Sequence, residues 1–200
     1  MRVLVASHNP GKLKELAELL SGLPIEWVTL DDVGITHEIE ETGDTFEANA
    51  RLKAEGYARL SSLPTLADDS GLEVDALGGE PGVYSARYGG PGASDDDRYR
   101  LVLEKMKDVP QEKRGARFRC VIAVASPADG VFTADGVVEG AIASEARGSH
   151  GFGYDPIFWM AEYRASLAEL GPDIKNRISH RGRAIQAIRP RLERLVRSGG

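Results

Sequence analysis

Two pairs of neighbouring carboxylates are the side chains in this sequence best suited to chemistry. Glu40 and Glu41 form the first pair, and Asp68 and Asp69, followed by Ser70-Gly71, form the second. Carboxylate oxygens are the ligands that Mg²⁺ prefers, together with water and phosphate oxygens. Adjacent carboxylates repel each other, so either a cation binds them or one of them has a raised pKa and acts as a base. The alternative is a structural turn, because Asp-rich turns are common.

The segment Ser7-His8-Asn9-Pro10-Gly11-Lys12 predicts an anion site. It separates a short apolar run from a predicted helix, and a helix N-terminus presents unpaired N–H groups and the positive end of the helix dipole. Lys12 adds a positive charge at that place. The segment is not a Walker A loop, which needs a longer glycine-spaced run and a Ser or Thr after the Lys. A plain turn with an exposed Lys is the alternative.

A second lysine lies on the otherwise apolar face of a predicted helix. That face, at positions i, i+3, i+4, i+7, i+8 and i+11, consists of Phe46, Asn49, Ala50, Lys53, Ala54 and Tyr57. A Lys that faces inward needs an anion, because burying an unpaired charge is costly. Alternatively, the stem of Lys53 packs on the core and its amine reaches water.

A glycine-rich segment at residues 148–156 carries two aromatic residues and a carboxylate. Its glycines allow close approach of the backbone. Phe152, Tyr154 and Asp155 suit a planar ligand that stacks on a ring and forms a hydrogen bond with a carboxylate. In the alternative, the aromatic rings only cover the core.

Charged residues also stand at two predicted helix starts. Asp95-Asp96-Asp97 follows Ser94, where acidic side chains stabilise the helix dipole, and we interpret this run as structural. Ser179 is a natural N-cap for the final helix, but His180 and Arg181 after it place positive charge at the positive end of the dipole. A bound anion or polar ligand would explain positively charged residues at this end of the helix.

Strands and helices that alternate along the chain must position these residues. Apolar runs predict strands at residues 3–6, 25–30, 65–67, 116–125 and 131–142. The third strand is predicted to end at residues 68–71, and the last two strands are predicted to be joined by a turn at Pro127-Ala128-Asp129-Gly130.

Capping residues and apolar spacing predict the helices. One helix begins after the cap Asp44 and ends at about residue 60, and another begins after the cap Ser94 and ends at about residue 107. The final helix carries Pro190 as a kink or break, and its apolar face consists of Ala184, Ile185, Ile188, Leu192 and Leu195. The alternation of strands and helices predicts an α/β fold with a mixed sheet, arranged as two lobes around a cleft.

The length and composition exclude several classes of protein. The 200 residues make one large domain or two small lobes, and we predict a single domain over residues 1–200. The net charge of −6 and the pI of about 5.3 argue against a duplex nucleic acid partner, although a local site still binds small anions. The single Cys120 excludes an intrachain disulfide and argues against a structural zinc site. No run approaches the ~18–20 apolar residues of a membrane span, and no secretory signal is recognised, so we expect a cytoplasmic protein without a membrane partner.

Taken together and in this order, these segments resemble the inosine triphosphate pyrophosphatase family, in particular its bacterial Ham1-like or RdgB-like members. The resemblance covers nearly the whole chain, at residues 7–12, 41–50, 53–54, 67–72, 77–88, 117–118, 151–158 and 178–182. It implies hydrolysis of purine triphosphates that carry hypoxanthine or xanthine to the monophosphate and pyrophosphate, with Mg²⁺ as cofactor. It also implies an elongated mixed β-sheet flanked by helices, two lobes around a central nucleotide cleft, and a homodimer.

Residue by residue, the resemblance implies a site with three parts. Residues 7–12 and Lys53 hold the triphosphate, and Ser70 contacts the substrate. Asp69 is the general base and, with one or both of Glu40 and Glu41, holds the metal. The side of the site that binds the base consists of Phe152, Gly153, Tyr154, Asp155, Lys175, His180 and Arg181.

The first loop departs from the family pattern, because relatives commonly begin it with Thr-Gly-Asn or Thr-Thr-Asn and this chain has Ser7-His8-Asn9. Ser7 keeps a hydroxyl, and His8 adds an imidazole that either bonds to a phosphate or faces solvent. Two other functions remain open: a hydrolase of the same scaffold that acts on other modified triphosphates, and a nucleotide-binding protein without turnover. The second is opposed by the intact set of Lys12, Glu41, Lys53 and Asp69.

Overall fold

A computed structural model of the chain describes residues 1–126 and 130–198, and its strands form one seven-stranded sheet. The strands are β1 (Arg2–Val5), β2 (Glu26–Thr29), β3 (Thr65–Val74), β4 (Gly115–Ser126), β5 (Gly130–Ile142), β6 (Phe158–Met160) and β7 (Ala165–Ser166). Their order in the sheet is β2-β1-β3-β4-β5-β6-β7. β1 pairs in parallel with β2 and β3, whereas β6 pairs antiparallel with β5 and β7. The predicted mixed sheet is therefore confirmed.

Helices alternate with the first strands and follow the last ones, as the predicted α/β class requires. The α-helices are α1 (Pro10–Leu19), α2 (Phe46–Ser61), α3 (Asp95–Lys105), α4 (Pro172–Ile178) and α5 (His180–Ser198). Within the described part of the chain, none of the helices combines the length and the hydropathy that a transmembrane segment needs.

The chain divides into two compact units, as predicted for two lobes. The first unit comprises Met1–Asp69, Cys120–Gly136 and Arg181–Gly200, and the second comprises Ser70–Arg119 and Val137–His180. β3, β4 and β5 therefore each contribute residues to both units. The nucleotide cleft and the single functional domain stay predictions.

The core of the first unit packs strands against α1 and α5. Val5, Leu66 and Ile122 belong to one buried cluster with residues of both helices. From α5 the cluster takes the residues predicted from apolar spacing, Ala184, Ile185, Ile188, Leu192 and Leu195. Pro190 lies inside α5, which continues to Ser198. The predicted break is absent because buried residues on both sides of the proline hold the helix against the sheet.

The core of the second unit supports α3 and the loop between β5 and β6. Val102 of α3 and Met106, the C-cap of that helix, are fully buried in one cluster with strand residues that include Phe118 and Phe158. The rings of Phe118 and Phe158 lie 4.6 Å apart at 42°. The predicted cap Ser94 is confirmed, and its side chain forms a reciprocal capping box with that of Asp97.

The predicted end of the third strand is wrong. β3 runs without interruption from Thr65 to Val74, so residues 68–71 continue the strand instead of ending it. Asp68 and Asp69 are 2% and 5% exposed. An Asp-rich turn relies on water around its carboxylates, whereas these two are surrounded by charged side chains of the protein.

The N-cap of α2 also differs from the prediction. Thr45, not Asp44, is the cap, and its Oγ1 accepts a hydrogen bond from the backbone N of Ala48 at 3.1 Å. Thr45 has the extended backbone that an N-cap needs, and Glu47 lies in the first turn as predicted. Of the predicted turn between β4 and β5, Pro127-Ala128-Asp129 lies outside the described residues.

Candidate active site

The predicted phosphate loop, residues 7–12, connects β1 to α1 and is held by its own side chains. Asn9 is the N-cap of α1, and its Oδ1 accepts a hydrogen bond from the backbone N of Lys12 at 3.0 Å. The backbone N of Asn9 donates to Ser7 Oγ at 3.2 Å. Pro10 lies in the first turn, where its missing N–H costs nothing. The loop therefore presents a capped helix N-terminus, an arrangement that suits a phosphate group.

Two side chains of α2 hold the extended segment that carries Glu41. Asn49 Oδ1 accepts a hydrogen bond from the backbone N of Gly43 at 2.8 Å, and a Cβ at Gly43 would lie only 2.8 Å from that oxygen. The Tyr57 hydroxyl bonds to the backbone of residues 37 and 39. Both side chains belong to the helix face that was predicted from their spacing, and both are buried. This face of α2 therefore fixes the position of the segment that carries Glu41.

Lys53 lies between these two side chains on α2 and joins two carboxylates. Its Nζ is 2.6 Å from Glu41 Oε1 and 3.2 Å from Asp69 Oδ1. Burial alone would lower the pKa of Lys53, but attraction to Asp69, Asp68 and Glu41 outweighs burial and raises that pKa. The side chain is only 11% exposed. Lys53 thus faces inward and stays protonated.

Asp69 has one carboxylate oxygen bound to Lys53 and a second one that is buried and unused. Asp69 Oδ2 has no hydrogen-bond partner among residues 1–126 and 130–198. Burial raises the pKa of Asp69; Lys53 and Lys12 oppose this effect, whereas Glu41 and Asp68 add to it, so the pKa stays above its ordinary value. A carboxylate with a raised pKa and an unused lone pair is suited to take a proton from water.

Asp68, the preceding residue of β3, has the opposite environment. Its Oδ2 lies 3.1 Å from Lys12 Nζ and 3.1 Å from Arg181 Nη2. Burial alone would raise the pKa of Asp68, but Lys12, Arg181 and Lys53 hold it well below its ordinary range. Neighbouring carboxylates whose pKa values are shifted in opposite directions are typical of acid–base sites. Asp68 stays ionised, whereas Asp69 is the candidate base.

Glu15, which the sequence analysis missed, extends this ion network. Arg181 is 1% exposed, and its Nη1 lies 2.5 Å from Glu15 Oε2. Burial would lower the pKa of Arg181, but Asp68 and Glu15 help to raise it above its ordinary value. The network joins α1, β3 and α5. The available signal was an acid between Leu13 and Leu16 on the apolar side of α1.

Asp69 and Glu41 are the side chains that fit a bound Mg²⁺. Within the described residues, no three His, Cys, Asp or Glu side chains cluster so as to hold a metal by themselves. Mg²⁺ usually takes one or two protein carboxylates and completes its shell with water and substrate phosphates. The unused Asp69 Oδ2, with Glu41 bound to the same lysine, fits that pattern. Glu40, the other predicted ligand, is exposed.

In the second unit, Asp155 and Lys175 form a buried ion pair. Lys175 Nζ, on α4, lies 2.5 Å from Asp155 Oδ2, and the same oxygen accepts a hydrogen bond from the backbone N of Phe152 at 2.9 Å. The ammonium also lies 4.9 Å from the centre of the Phe152 ring. Three of the residues predicted to bind the base are therefore in contact with one another.

Gly151 makes this close approach possible. Its φ is +77°, and a Cβ would collide with Asp155 Oδ2 and lie 2.9 Å from Lys175 Nζ. An L side chain at this position would therefore displace the ion pair and strain the backbone.

The remaining predicted residues lie in different surroundings. The Tyr154 hydroxyl donates to the backbone O of Ser85 at 2.8 Å, and burial raises the pKa of Tyr154. His180 is buried, and its ring stacks on Phe118 with centroids 4.7 Å apart. Arg181 belongs to the first unit and binds Asp68 and Glu15 there. Three other predicted site residues are accessible to solvent: Ser70 and Gly11 are half-buried, and His8 is exposed.

Comparison with known proteins decides the family. The sequence model of the Ham1 family matches residues 3–191. The chain belongs to this family. It is 49% identical over 191 residues to a dITP/XTP pyrophosphatase of Geobacter sulfurreducens, with 96% of each chain covered. It is 48% identical over 190 residues to a dITP/XTP pyrophosphatase of Bacillus subtilis, with 95% of this chain and 96% of that one covered. The resemblance recognised from the motifs is thereby confirmed.

Solved structures of Ham1 proteins have the same fold. A HAM1 protein from Coxiella burnetii is 42% identical and superposes with a TM-score of 0.86 over 99% of each chain. The Ham1 protein of Staphylococcus aureus is 36% identical and superposes with a TM-score of 0.85 over 100% of each chain. The predicted α/β fold with a mixed sheet is thus common to this chain and these relatives.

Proposed function

We propose that this chain hydrolyses non-canonical purine nucleoside triphosphates to the monophosphate and pyrophosphate. The substrates would be inosine, deoxyinosine and xanthosine triphosphates, which the reaction removes from the nucleotide pool. The observation that carries the proposal is the buried, unused Oδ2 of Asp69. The other oxygen of Asp69 contacts Lys53, and the preceding residue, Asp68, binds Lys12. Relatives named dITP/XTP pyrophosphatase support the substrate class.

Release of a monophosphate and pyrophosphate requires water to attack the α-phosphorus. A bond forms between the water oxygen and this phosphorus, and the bond to the α,β-bridging oxygen breaks, so its electron pair leaves with pyrophosphate. Asp69 Oδ2 takes the proton of the attacking water. Lys12, Lys53 and the N-terminus of α1 bind the phosphates and neutralise their charge. Asp69 and Glu41 would hold Mg²⁺, and the ion would supply positive charge at the phosphates.

The ion pair of Asp155 and Lys175 in the second unit would recognise the base of the nucleotide. Hypoxanthine and xanthine present an acceptor at O6 and a donor at N1, whereas adenine presents a donor and an acceptor. Lys175 donates to O6, Asp155 accepts from N1–H, and the Phe152 ring stacks on the base. Adenine would place its 6-amino donor against the Lys175 ammonium and its unprotonated N1 against the Asp155 carboxylate, and this mismatch of polarity can lower kcat/KM by a factor on the order of 10⁴. Guanine shares the O6 and N1–H edge, so its rejection depends on its 2-amino group.

Three finer properties belong to the same proposal: Mg²⁺ as the cofactor, a homodimer as the assembly and the cytoplasm as the compartment. The carboxylates Asp69 and Glu41 support the first, and the family resemblance supports the first two. Light scattering after size-exclusion chromatography tests the assembly, because a dimer has twice the 21.6 kDa of the chain.

The deciding experiment measures pyrophosphate and orthophosphate released from a panel of purine and pyrimidine triphosphates, with and without Mg²⁺. We expect Mg²⁺-dependent release of pyrophosphate, with inosine and xanthosine triphosphates far ahead of adenosine triphosphate and guanosine triphosphate intermediate. Asp69→Asn keeps the shape of the side chain but cannot take a proton, so kcat should fall by about 10²–10⁴-fold while nucleotide binding persists.

Three results would contradict the proposal. Release of orthophosphate would change the reaction, and a preference for pyrimidine triphosphates would change the substrate. Near-normal kcat in Asp69→Asn would remove Asp69 as the base. Binding of nucleotides without any turnover would identify a silent nucleotide-binding protein.

A further inference from the structure

Asp95, the first residue of α3, contacts the loop that carries Phe152. Its Oδ2 accepts a hydrogen bond from the backbone N of Gly153 at 2.7 Å, across 58 residues of sequence. Its Oδ1 accepts a hydrogen bond from Arg98 Nη1 at 2.7 Å. Both partners lie with Asp95 in the second unit. The carboxylate therefore links the start of a helix to the loop between β5 and β6.

This contact distinguishes Asp95 from the other two residues of the run that we interpreted as structural. Asp97 accepts hydrogen bonds from Ser94 and completes the capping box of α3. Asp96 pairs with Arg100 on the surface. Among the hydrogen bonds of the described residues, Asp95 is the one of the three acids that reaches beyond α3 and its cap.

The Asp95 contact lies at a part of the loop that is rich in glycine. Phe152 lies between two glycines with positive φ, Gly151 at +77° and Gly153 at +62°. Glycines lose more conformational freedom on ordering than other residues. The N–H that Asp95 binds belongs to the peptide between Phe152 and Gly153. Phe152 precedes that N–H, and its own backbone N–H binds Asp155 Oδ2, so the Asp95 contact restrains the residue that carries both the ring and the N–H bound to Asp155.

We propose that Asp95 is a positioning residue for base recognition: by holding the Gly153 N–H, it fixes the Phe152 ring and the Asp155 carboxylate in the geometry that receives a 6-oxopurine. This inference rests on the proposed function. Asp95 does not act on the phosphates, so its loss should affect substrate affinity and base selectivity and leave the chemical step largely unchanged. Misplacement of a binding group by about 1 Å costs up to about 10²-fold in rate.

Replacement of Asp95 tests this without damaging the core, because its side chain is 46% exposed and truncation opens no buried cavity. We expect Asp95→Ala to raise KM for inosine triphosphate about tenfold with kcat nearly unchanged, and to narrow the inosine-to-adenosine ratio of kcat/KM. Asp95→Asn keeps an acceptor oxygen for the Gly153 N–H and should restore most of both values. Asp96→Ala is the matched control, because it also removes a first-turn acid and an arginine contact.

A second readout does not depend on activity. Amide hydrogen exchange of Gly153 in the unliganded protein should be about tenfold faster in Asp95→Ala than in the wild type and in Asp96→Ala, because the N–H loses its acceptor. Faster exchange together with the KM and selectivity changes supports the inference. Faster exchange with wild-type KM and selectivity overturns it, because the contact would then be structural only.

The two proposals fail in different ways. If wild-type protein releases pyrophosphate from inosine triphosphate but Asp95→Ala behaves like Asp96→Ala in both readouts, the positioning role is wrong and the proposed function stands. If wild-type protein turns over no triphosphate, the proposed function is wrong and the positioning role falls with it. A loss of kcat equal to the loss of kcat/KM in Asp95→Ala would also overturn the inference, since it would indicate a role in the chemical step.

Discussion

Replacement of Arg181 by Met tests the ion network of the first unit. The buried guanidinium lies 3.1 Å from Asp68 and 2.5 Å from Glu15, and Met would remove the charge while filling most of the space. Breaking a buried ion pair by removing one partner typically costs about 3–5 kcal/mol. Because Asp68 keeps Lys12 at 3.1 Å, we expect the lower end of this range. A loss of about 3 kcal/mol corresponds to a fall in Tm of about 6–12 °C for a chain of this size.

Urea unfolding followed by circular dichroism measures this loss as a change in the free energy of unfolding. The control is Arg197→Met, which replaces an exposed arginine of the same helix and should change that free energy by no more than about 0.5 kcal/mol. Since the folded-state pKa of Asp68 is depressed, its contribution to stability is present above its unfolded pKa and is lost as the pH falls through its folded pKa. The difference between Arg181→Met and wild type should therefore shrink in acid.

Equal stability changes in the two arginine variants would refute this reasoning. Arg181 would then be available for the role implied by the family resemblance, in which it reads the base. That role predicts a narrower inosine-to-adenosine ratio of kcat/KM in Arg181→Met at unchanged stability, so the two measurements together separate a structural arginine from a recognition residue.

Three further predictions concern single residues. Lys53→Ala removes the ammonium shared by two carboxylates and should raise KM for inosine triphosphate at least about tenfold, whereas wild-type steady-state kinetics would mean that the amine is dispensable. Gly151→Ala forces a methyl group onto the Asp155 carboxylate and should lower kcat/KM about 10²-fold; an unchanged value would show that the ion pair need not be so close to the backbone. Burial, reinforced by Asp68, raises the pKa of the Cys120 thiol to about 12. Iodoacetamide at neutral pH should therefore leave Cys120 unmodified in the folded protein and alkylate it in concentrated urea, as mass spectrometry would report.

The elements with a strong apolar period could be predicted from the sequence. The spacing of Ile185, Ile188 and Leu192 identified the buried face of α5. The spacing of the residues around Asn49 and Lys53 likewise identified the inward face of α2. These predictions succeed because the period of a helix depends on local backbone geometry and on burial of one face. The residues of the phosphate loop were recognisable for the same reason, since a cap and a lysine at a helix start are local features.

The strand end predicted at residues 68–71 is wrong because local preference opposed the tertiary context. Asp, Ser and Gly favour turns when water surrounds them. In the folded chain, Lys12 and Arg181 meet Asp68, so the carboxylate is paired and the strand continues. Neither of these contacts follows from the residues next to Asp68 in sequence.

The sequence by itself determined which residue types are present for the chemistry: adjacent carboxylates, two lysines near helix faces and a glycine-rich aromatic loop. Only the tertiary structure decided the surroundings of Asp68 and Asp69. Successive residues of a strand point to opposite faces, so Asp68 meets Lys12 and Arg181, and Asp69 meets Lys53. A pKa depends on burial and on charges within a few ångströms. Arg181 stands 113 residues from Asp68 in sequence. Which carboxylate stays ionised and which is suited to act as the base is therefore set by segments that only folding brings together.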